Sequence, residues 1–291
     1  MLAISGGGED GAFGAGILCG WSDQGTRPQF ELVTGVSTGA LTAPFAFLGP
    51  RWDHALKAVY TDITPADVLR PRFLTAAIMD DAISDNAPLF RTISRYVTHE
   101  MLEEIAQGYQ EGRLLLVGTA NIDAQLPVTW NIGAIAASGH PKALELIRKN
   151  GDNEFQEMHV DGGAFTQVFL YPRILTNLRR RQNTNTPHPI APRAYIIRNA
   201  RLDPNWASVD RRALNIAGRA ISTMIASAGY NDLVRIHTTT RQDGVDFNLA
   251  YISSQFDGVY SEPFEQAYMR KLFSYAYQRS VSGFDWAKQP P

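Results

Sequence analysis

Short apolar runs alternate along this chain with longer segments in which apolar residues recur at helical spacing. Short runs bounded by glycine or polar residues predict strands, and the longer periodic segments predict helices. The predicted strands are Met1–Ser5, Phe30–Thr34, Leu114–Thr119, Val128–Ile132, Met158–Val160, Ala194–Arg198 and Phe247–Ile252. The predicted helices are Gly11–Trp21, Ala40–Leu48, Pro141–Lys149, Ala213–Ala228 and Glu262–Arg279. This alternation predicts an α/β layer structure with a largely parallel sheet.

The chain has 291 residues, of which 44% are hydrophobic, and it shows neither an internal repeat nor a dividing linker. We therefore expect one domain over residues 1–291. The polar stretch Arg179–Pro192 is expected to be a long loop. A formal net charge of -2 argues against a nucleic-acid binder, which usually carries a basic excess.

Cys19 is the one cysteine, which excludes an intramolecular disulfide and a zinc site built from several thiolates. The aspartates at 80, 81 and 85 lack the glycine turn and terminal glutamate of a calcium loop, so we expect no metal site. No apolar run is long enough to span a bilayer, and no targeting signal is visible. We expect a protein that is soluble or peripheral to a membrane, with its compartment left open.

The sequence Gly35-Val36-Ser37-Thr38-Gly39 has the form G-x-S-x-G and stands between a predicted strand and a predicted helix. A serine on such a turn is lifted clear of the sheet, and glycines two residues to either side avoid side-chain clashes. The N–H groups that open the following helix face developing negative charge. The pattern favours Ser37 as a nucleophile.

A second glycine-rich segment, Gly6-Gly7-Gly8-Glu9-Asp10-Gly11, follows the first strand and opens the first helix. It also fits the G-x-G-x-x-G pattern of dinucleotide sites, but Glu9 and Asp10 stand where a pyrophosphate would approach. Exposed backbone N–H groups beside a nucleophile are what an oxyanion hole requires. We favour that interpretation over dinucleotide binding and expect no cofactor.

A serine nucleophile needs a base, and none of the six histidines stands in a convincing catalytic setting. His159 alternates along a predicted strand and is expected to be structural. Asp161 ends that strand and is followed by Gly162 and Gly163, which let the backbone turn sharply and approach other elements. Together with the other two motifs, this arrangement indicates Asp161 as the candidate base.

The three motifs, in this order, resemble the patatin-like phospholipase family. The resemblance rests on Gly6–Gly11 with its continuation to Gly16, on Gly35–Gly39, and on Asp161-Gly162-Gly163. It implies a three-layer α/β/α fold with a central, mostly parallel sheet, and a Ser37–Asp161 dyad without histidine. It further implies a lipid ester as substrate, contact with a membrane surface, and an oxyanion hole of backbone N–H groups. Those groups would come from the glycine-rich segment after the first strand and from the turn that carries Ser37. They belong to Gly6, Gly7, Gly8 and Thr38.

The chain departs from the family pattern in two places. Relatives often carry arginine or lysine where this chain has Asp10, so we expect backbone dipoles alone to form the oxyanion hole, or Asp10 to point away from it. Relatives also carry an apolar stretch with Ala-Ser, a proline and Phe-Pro before the strand that enters the aspartate. Here Leu146–Asn153 runs almost directly into Glu157, which predicts a deletion beside the site.

Three alternatives remain open at this point. The first is a catalytically impaired relative that binds lipid or a partner without turnover. The second is an α/β-hydrolase with His237 as base, although that fold places its elbow after several strands and Ser37 follows only the second. The third is dinucleotide binding at Gly6–Gly11.

Overall fold

The computed structural model of the chain describes residues 1–68, 70–71, 84–85, 91, 94–139, 147–150, 153–171, 192–204, 206 and 208–291. Its strands are β1 (Leu2–Ile4), β2 (Leu32–Val36), β3 (Arg70–Pro71), β4 (Ser84–Asp85), β5 (Leu114–Asn121), β6 (Leu126–Asn131), β7 (Ile147–Asn150), β8 (Asn153–Gln156), β9 (His159–Asp161), β10 (Arg193–Arg201) and β11 (Asp246–Ile252). Its helices are α1 (Gly11–Asp23), α2 (Thr38–Leu48), α3 (Asp53–Thr61), α4 (Pro65–Val68), α5 (His99–Gln110), α6 (Ile132–Ser138), α7 (Ala213–Gln242) and α8 (Gln266–Val281).

The central sheet has the strand order β11-β10-β1-β2-β5-β6. The four neighbouring pairs from β11 to β5 are parallel, while β6 and β9 both pair with β5 in the antiparallel sense. Two small antiparallel pairs, β3 with β4 and β7 with β8, lie outside this sheet. The predicted fold class is confirmed, because a central, mostly parallel sheet is flanked by helices.

Alternate residues of the central strands enter different hydrophobic cores on the two faces of the sheet. In β1, Leu2 and Ile4 belong to the larger core, which includes buried residues of α1, α2, α3 and α8. Ala3 between them belongs to the smaller core, together with Leu233 and Ile236 of α7. Successive side chains of a strand point to opposite faces, so this alternation buries both faces of the sheet.

The chain leaves β1 in one direction along the sheet, through β2 to β5, and later fills the other side with β10 and β11. The carboxyl ends of β1, β2 and β10 therefore meet at one edge, next to the point where the strand order reverses. Open parallel sheets bind their ligands at this edge. Ser5 and Ser37 lie there, just beyond the ends of β1 and β2, and Asn199 lies there within the last three residues of β10.

Two predicted helices differ from the observed ones by more than four residues at one end or in type. The segment predicted to end at Ala228 continues as α7 to Gln242. The predicted helix Pro141–Lys149 is wrong at its end, since Ile147–Asn150 pairs with Asn153–Gln156 as a hairpin. Gly151 and Asp152 are the two residues between these strands, and a two-residue connection that begins with glycine favours a hairpin over a continuing helix.

Some expectations concern residues beyond those that the structure describes. Residues 141–146 of the predicted helix are among them. Asp80 and Asp81 also lie outside the described part, as does the predicted loop Arg179–Pro192 apart from Pro192 itself.

Helices α1 and α8 pack in close contact because α1 carries glycine where they meet. A Cβ on Gly16 would overlap the carbonyl oxygen of Phe273 and lie 2.9 Å from the Cβ of Ala276. A Cβ on Gly20 would lie 2.5 Å from the carbonyl oxygen of Tyr277. Both helices flank the face that carries the larger core, so their spacing fixes how that core closes.

Replacing Gly16 with alanine is expected to lower the free energy of unfolding by about 2 kcal/mol, because the new methyl group forces the two helices apart. The matched control is Gly218→Ala in α7, where a Cβ would meet nothing within 4 Å. That change is expected to raise the free energy of unfolding by up to about 1 kcal/mol. Urea unfolding measures both, and equal effects of the two substitutions would contradict the packing argument.

Candidate active site

Ser37 occupies a strained turn between β2 and α2. Its backbone has φ 55° and ψ -125°, a combination that non-glycine residues rarely adopt. A Cβ on Gly35 would overlap the carbonyl oxygen of Gly39, and a Cβ on Gly39 would overlap the carbonyl oxygen of Ile4. Both glycines of the motif are therefore required by close backbone approach. The Ser37 side chain is partly exposed and, among the described residues, has no hydrogen-bond partner.

The glycine-rich loop lies directly against this serine. A Cβ on Gly6 would lie 3.1 Å from the Cβ of Ser37, and a Cβ on Gly7 would overlap the carbonyl oxygen of Asn199. Gly8 has φ +56°, which favours glycine. The loop can hold this position only because its residues lack side chains.

The hydrogen bonds of the loop reduce the number of candidate N–H donors for an oxyanion. The N–H of Gly6 donates to the carbonyl oxygen of Gln167 (3.1 Å) and is thus already engaged. Within the described part of the chain, the N–H groups of Gly7, Gly8 and Thr38 have no acceptor. The Thr38 side chain turns away from the loop edge to Tyr60, with 2.7 Å between the two hydroxyl oxygens. Gly11 leaves space for that pair, since its Cβ would lie 2.6 Å from the Tyr60 ring.

Strand register brings Asp161 to the end of the strand that carries the serine. On β5, Gly118 pairs with Val36 of β2, and the next residue, Thr119, pairs with Asp161 of β9. The carboxyl ends of β2 and β9 thus meet along β5. The partners of Val36 and Asp161 on β5 are consecutive residues. Gly162 makes this meeting possible, because its Cβ would overlap the carbonyl oxygen of Gly118 and lie 3.1 Å from Val36 Cγ1.

The Asp161 carboxylate is exposed and accepts a hydrogen bond from the N–H of Gly163 (2.7 Å). Within the described residues it accepts none from the Ser37 hydroxyl. Catalytic hydrogen bonds are often long before substrate binds and tighten in the complex. The Ser37 hydroxyl and the Asp161 carboxylate therefore lie where the ends of β2 and β9 meet, and the carboxylate is open to solvent.

A buried carboxylate on α7 holds the turn that follows Asp161. Asp232 Oδ2 accepts hydrogen bonds from Thr166 Oγ1 (2.8 Å), Gln167 N (2.7 Å) and Val168 N (3.3 Å). Its other oxygen accepts from Arg235 at 2.8 Å. Gln167 then links the two loops of the site, because its Nε2 donates to the carbonyl oxygen of Gly163 (2.7 Å).

The glycine loop is held from behind by the end of β10. Arg198, which is 3% exposed, donates from Nη1 to Ser5 Oγ and to the carbonyl oxygen of Gly6, both at 3.1 Å. Asn199 Nδ2 donates to the carbonyl oxygen of Ser5 (2.9 Å), and its Oδ1 accepts from Gly14 N (3.0 Å). Burial lowers the pKa of Arg198, which remains cationic at neutral pH. A buried positive charge therefore stands behind the loop.

Asp10 points towards α8, as one of the two sequence-based expectations had it. Its Oδ1 accepts a hydrogen bond from the Tyr268 hydroxyl at 2.5 Å. Burial raises the pKa of Asp10 to about 6, against the lowering effect of that hydrogen bond. The carboxyl group therefore changes charge near neutral pH while it is engaged by Tyr268.

The described histidines contact groups other than Ser37. His237 packs its ring on Phe247, the second residue of β11. This position is at the amino edge of the parallel sheet, opposite the edge that carries Ser37. This placement contradicts a triad with His237 as base. His159 lies in β9 with its Nδ1 3.1 Å from Thr119 Oγ1, which is consistent with a structural role. His140 and His188 lie outside the described residues.

The segment before Asp161, for which the sequence predicts a deletion, contains the end of a helix and a hairpin. An Ala137-Ser138 pair stands at the end of α6, and Pro141 follows it. The hairpin of β7 and β8 then separates this segment from β9. A deletion in this segment stays a prediction.

Sequence reasoning missed the residues that brace the two loops. Arg198 and Asn199 carried a usable signal, because they are polar residues at the carboxyl end of a predicted parallel strand. Asp232 carried none, since it lies within α7 beyond the predicted helix and accepts hydrogen bonds from one hydroxyl and two backbone N–H groups 64 to 66 positions away. A cleft of about 690 Å³ lies between α1, α3 and α8, and neither Ser37 nor Asp161 lines it.

Replacing Asp232 with alanine is expected to lower the free energy of unfolding by about 3 kcal/mol, because buried N–H groups of the turn lose their acceptor. The matched control is Asp203→Ala, which removes a carboxylate at an exposed position and is expected to change stability by less than about 0.5 kcal/mol. Urea unfolding measures both. An effect of Asp232→Ala no larger than the control would contradict the bracing role.

Stability should fall as pH rises through the titration of Asp10. Because its pKa is raised from 3.8 to about 6, the folded protein binds more protons than the unfolded chain between these values. Asp10→Asn removes this dependence. The change in the free energy of unfolding that Asp10→Asn causes is therefore expected to be more stabilising at about pH 7.5 than at about pH 4.5, by on the order of 1–2 kcal/mol. Urea unfolding at both pH values, with Asp203→Asn as control, tests this; a difference that does not change with pH would refute it.

Comparisons with known proteins add the family. Among curated proteins, no match to this chain was found. Among solved structures, VipD from Legionella pneumophila is similar with a TM-score of 0.33 and 10% sequence identity over 97% of this chain, which spans 66% of the length of that structure. A sequence model described as patatin-like phospholipase matches residues 2–171, more than half of the chain and the part that holds all three motifs. The chain belongs to the patatin-like phospholipase family.

Proposed function

We propose that this protein is a serine acyl hydrolase that cleaves the carboxylic ester of a phospholipid, lysophospholipid or acylglycerol, with Ser37 as nucleophile and Asp161 as base. The family implies lipid acyl hydrolase activity. The observation that carries the assignment of residues is the register on β5, where Val36 and Asp161 occupy consecutive positions beside Gly118 and Thr119. A nucleophile and a carboxylate at the meeting ends of two strands fit a two-residue catalytic unit.

The proposed reaction has two steps with one covalent intermediate. Ser37 Oγ attacks the ester carbonyl while Asp161 accepts the hydroxyl proton, and the tetrahedral intermediate expels the alcohol, which takes that proton. Water then attacks the acyl group on Ser37 and gives a proton to Asp161. The acid leaves and the proton returns to Ser37, so the enzyme ends unchanged.

The oxyanion of each tetrahedral intermediate is proposed to lie against the N–H groups of Gly7, Gly8 and Thr38. Those groups have no acceptor among the described residues, and they flank the serine from two directions. Thr38 also opens α2, so the dipole of that helix favours negative charge at this point. Gly6 contributes through its position rather than through its own N–H, which is bound to Gln167.

Exposed apolar side chains beside the carboxylate support an apolar acyl substrate. Phe165 is 54% exposed on the turn that follows Asp161, and Met158 is 49% exposed just before β9. Exposed large apolar groups at the edge of a site are typical of contact with a lipid or a partner. No helix in the described ranges is long and apolar enough to cross a membrane. From the exposed Phe165 and Met158 we propose that the protein contacts a membrane surface.

A second candidate is a family member that binds lipid without turnover. The observation that favours it is the hydrogen bond of Asp161 to Gly163 in place of one to Ser37. The two candidates differ in a single respect, namely whether substrate binding brings the carboxylate into contact with the serine hydroxyl. Turnover of a lipid ester decides between them.

Asp161→Asn and Ser37→Ala are each expected to lower kcat for ester hydrolysis by a factor of about 10² to 10⁴, because one loses the base and the other the nucleophile. Asp203→Asn is the matched control and is expected to retain the wild-type kcat. Release of fatty acid from lysophosphatidylcholine, phosphatidylcholine and monoacylglycerol measures the rates. Hydrolysis by the two site variants at the wild-type rate would exclude the dyad, and wild-type protein that binds these lipids without turnover would favour the second candidate.

A further inference from the structure

The first half of α7 is an amphipathic helix whose apolar side is exposed. Ile216, Ile221, Met224 and Ile225 are 52%, 58%, 70% and 43% exposed. At 100° per residue these four fall within about half of the helix circumference, and the polar side chains at positions 215, 219, 222 and 223 fall on the other half. An apolar helix face of this kind normally packs against another surface.

The same segment is basic. From Arg211 to Asn231 the sequence contains three arginines and no acidic residue, although the whole chain has a formal charge of -2. Arg211 and Arg212 are exposed and stand immediately before the helix. Trp206, a few residues earlier, is 87% exposed. An exposed apolar face combined with arginines and a nearby tryptophan is the pattern of helices that lie in the interface of an anionic membrane.

The position of α7 puts this segment on the same side of the molecule as Ser37. The helix leads into β11, so its last residues lie at the amino edge of the parallel sheet. Gly229 and Asp232 stand level with the carboxyl edge, where the first approaches Arg198 and the second binds Gln167. The sixteen residues before Gly229 therefore extend about 24 Å beyond that edge. A lipid surface in contact with them would face the site.

We propose that Trp206 and residues 208–228 form a docking surface for an anionic lipid bilayer, with Ile216, Ile221, Met224 and Ile225 inserted between head groups and the arginines on phosphate. This inference deepens the proposed function, on which it rests, by naming the surface through which the enzyme reaches its substrate. Asp232 couples the two, because one helix carries both the docking face and the carboxylate that holds the turn after Asp161. Binding positions the ester beside Ser37.

The test is co-sedimentation with vesicles, carried out in the Ser37→Ala background so that lipid is not consumed. Vesicles of phosphatidylcholine alone are compared with vesicles of equal parts phosphatidylcholine and phosphatidylglycerol. Ile221→Ser with Met224→Ser is expected to weaken binding to the anionic vesicles at least about tenfold. Arg211→Gln with Arg212→Gln is expected to weaken it roughly fivefold per arginine, and added salt to weaken it further.

The matched control is Val281→Ser, which alters an exposed apolar side chain (37% exposed) at the end of α8. We expect it to bind like the parent protein. Equal binding by the Ile221/Met224 double variant and the control would overturn the inference, as would a parent protein that binds neither vesicle. A dimer in solution that the double variant dissociates, without vesicle binding, would also overturn it in favour of a second copy on this face.

Fluorophosphonate labelling of the protein with Ser37 intact separates this inference from the proposed function. Vesicle binding through α7 without labelling of Ser37 would reject the hydrolase assignment and leave the docking surface standing. Labelling of Ser37 together with vesicle binding that does not depend on α7 would support the hydrolase assignment and reject the docking surface.

Discussion

Close backbone approach at the carboxyl edge of the sheet is the constraint on which the site depends. Three loops, which follow β1, β2 and β9, meet in a space that leaves no room for a Cβ. Gly7 lies against Asn199, Gly39 against Ile4, and Gly162 against Gly118. Any side chain there would push a loop away from Ser37. The glycines thus determine the distances within the site, while the chemistry that we propose belongs to Ser37 and Asp161.

Polar groups behind these loops supply what glycine cannot, namely rigidity. Glycine loses more backbone entropy on ordering than any other residue, so a loop of three glycines needs external support. Arg198 and Asn199 hold the loop through Ser5 and Gly6, while Asp232 and Gln167 hold the turn after Asp161. Since Asp232 lies in α7, the helix whose first half we assign to the lipid surface is also part of the support of the site.

The sequence predicts the fold class and the three loops well, because each rests on local patterns. Apolar runs that end in glycine locate β1 and β2, and the G-x-S-x-G motif correctly locates a strained turn at Ser37. Long-range contacts are not visible in this way. The hydrogen bond between Thr166 and Asp232 joins residues 66 positions apart, and that between Arg198 and Gly6 joins residues 192 positions apart. The helical spacing of apolar residues likewise predicts that α7 has an apolar side, but it does not predict whether that side is buried.

Intact-mass measurement after treatment with a fluorophosphonate tests the central claim most directly, because the reagent needs both an activated serine and an oxyanion hole. The account predicts one adduct per chain, mapped to Ser37 by peptide analysis and absent from Ser37→Ala, with slower formation in Asp161→Asn. An unlabelled wild-type protein that is folded, or an adduct on a different serine, would contradict it.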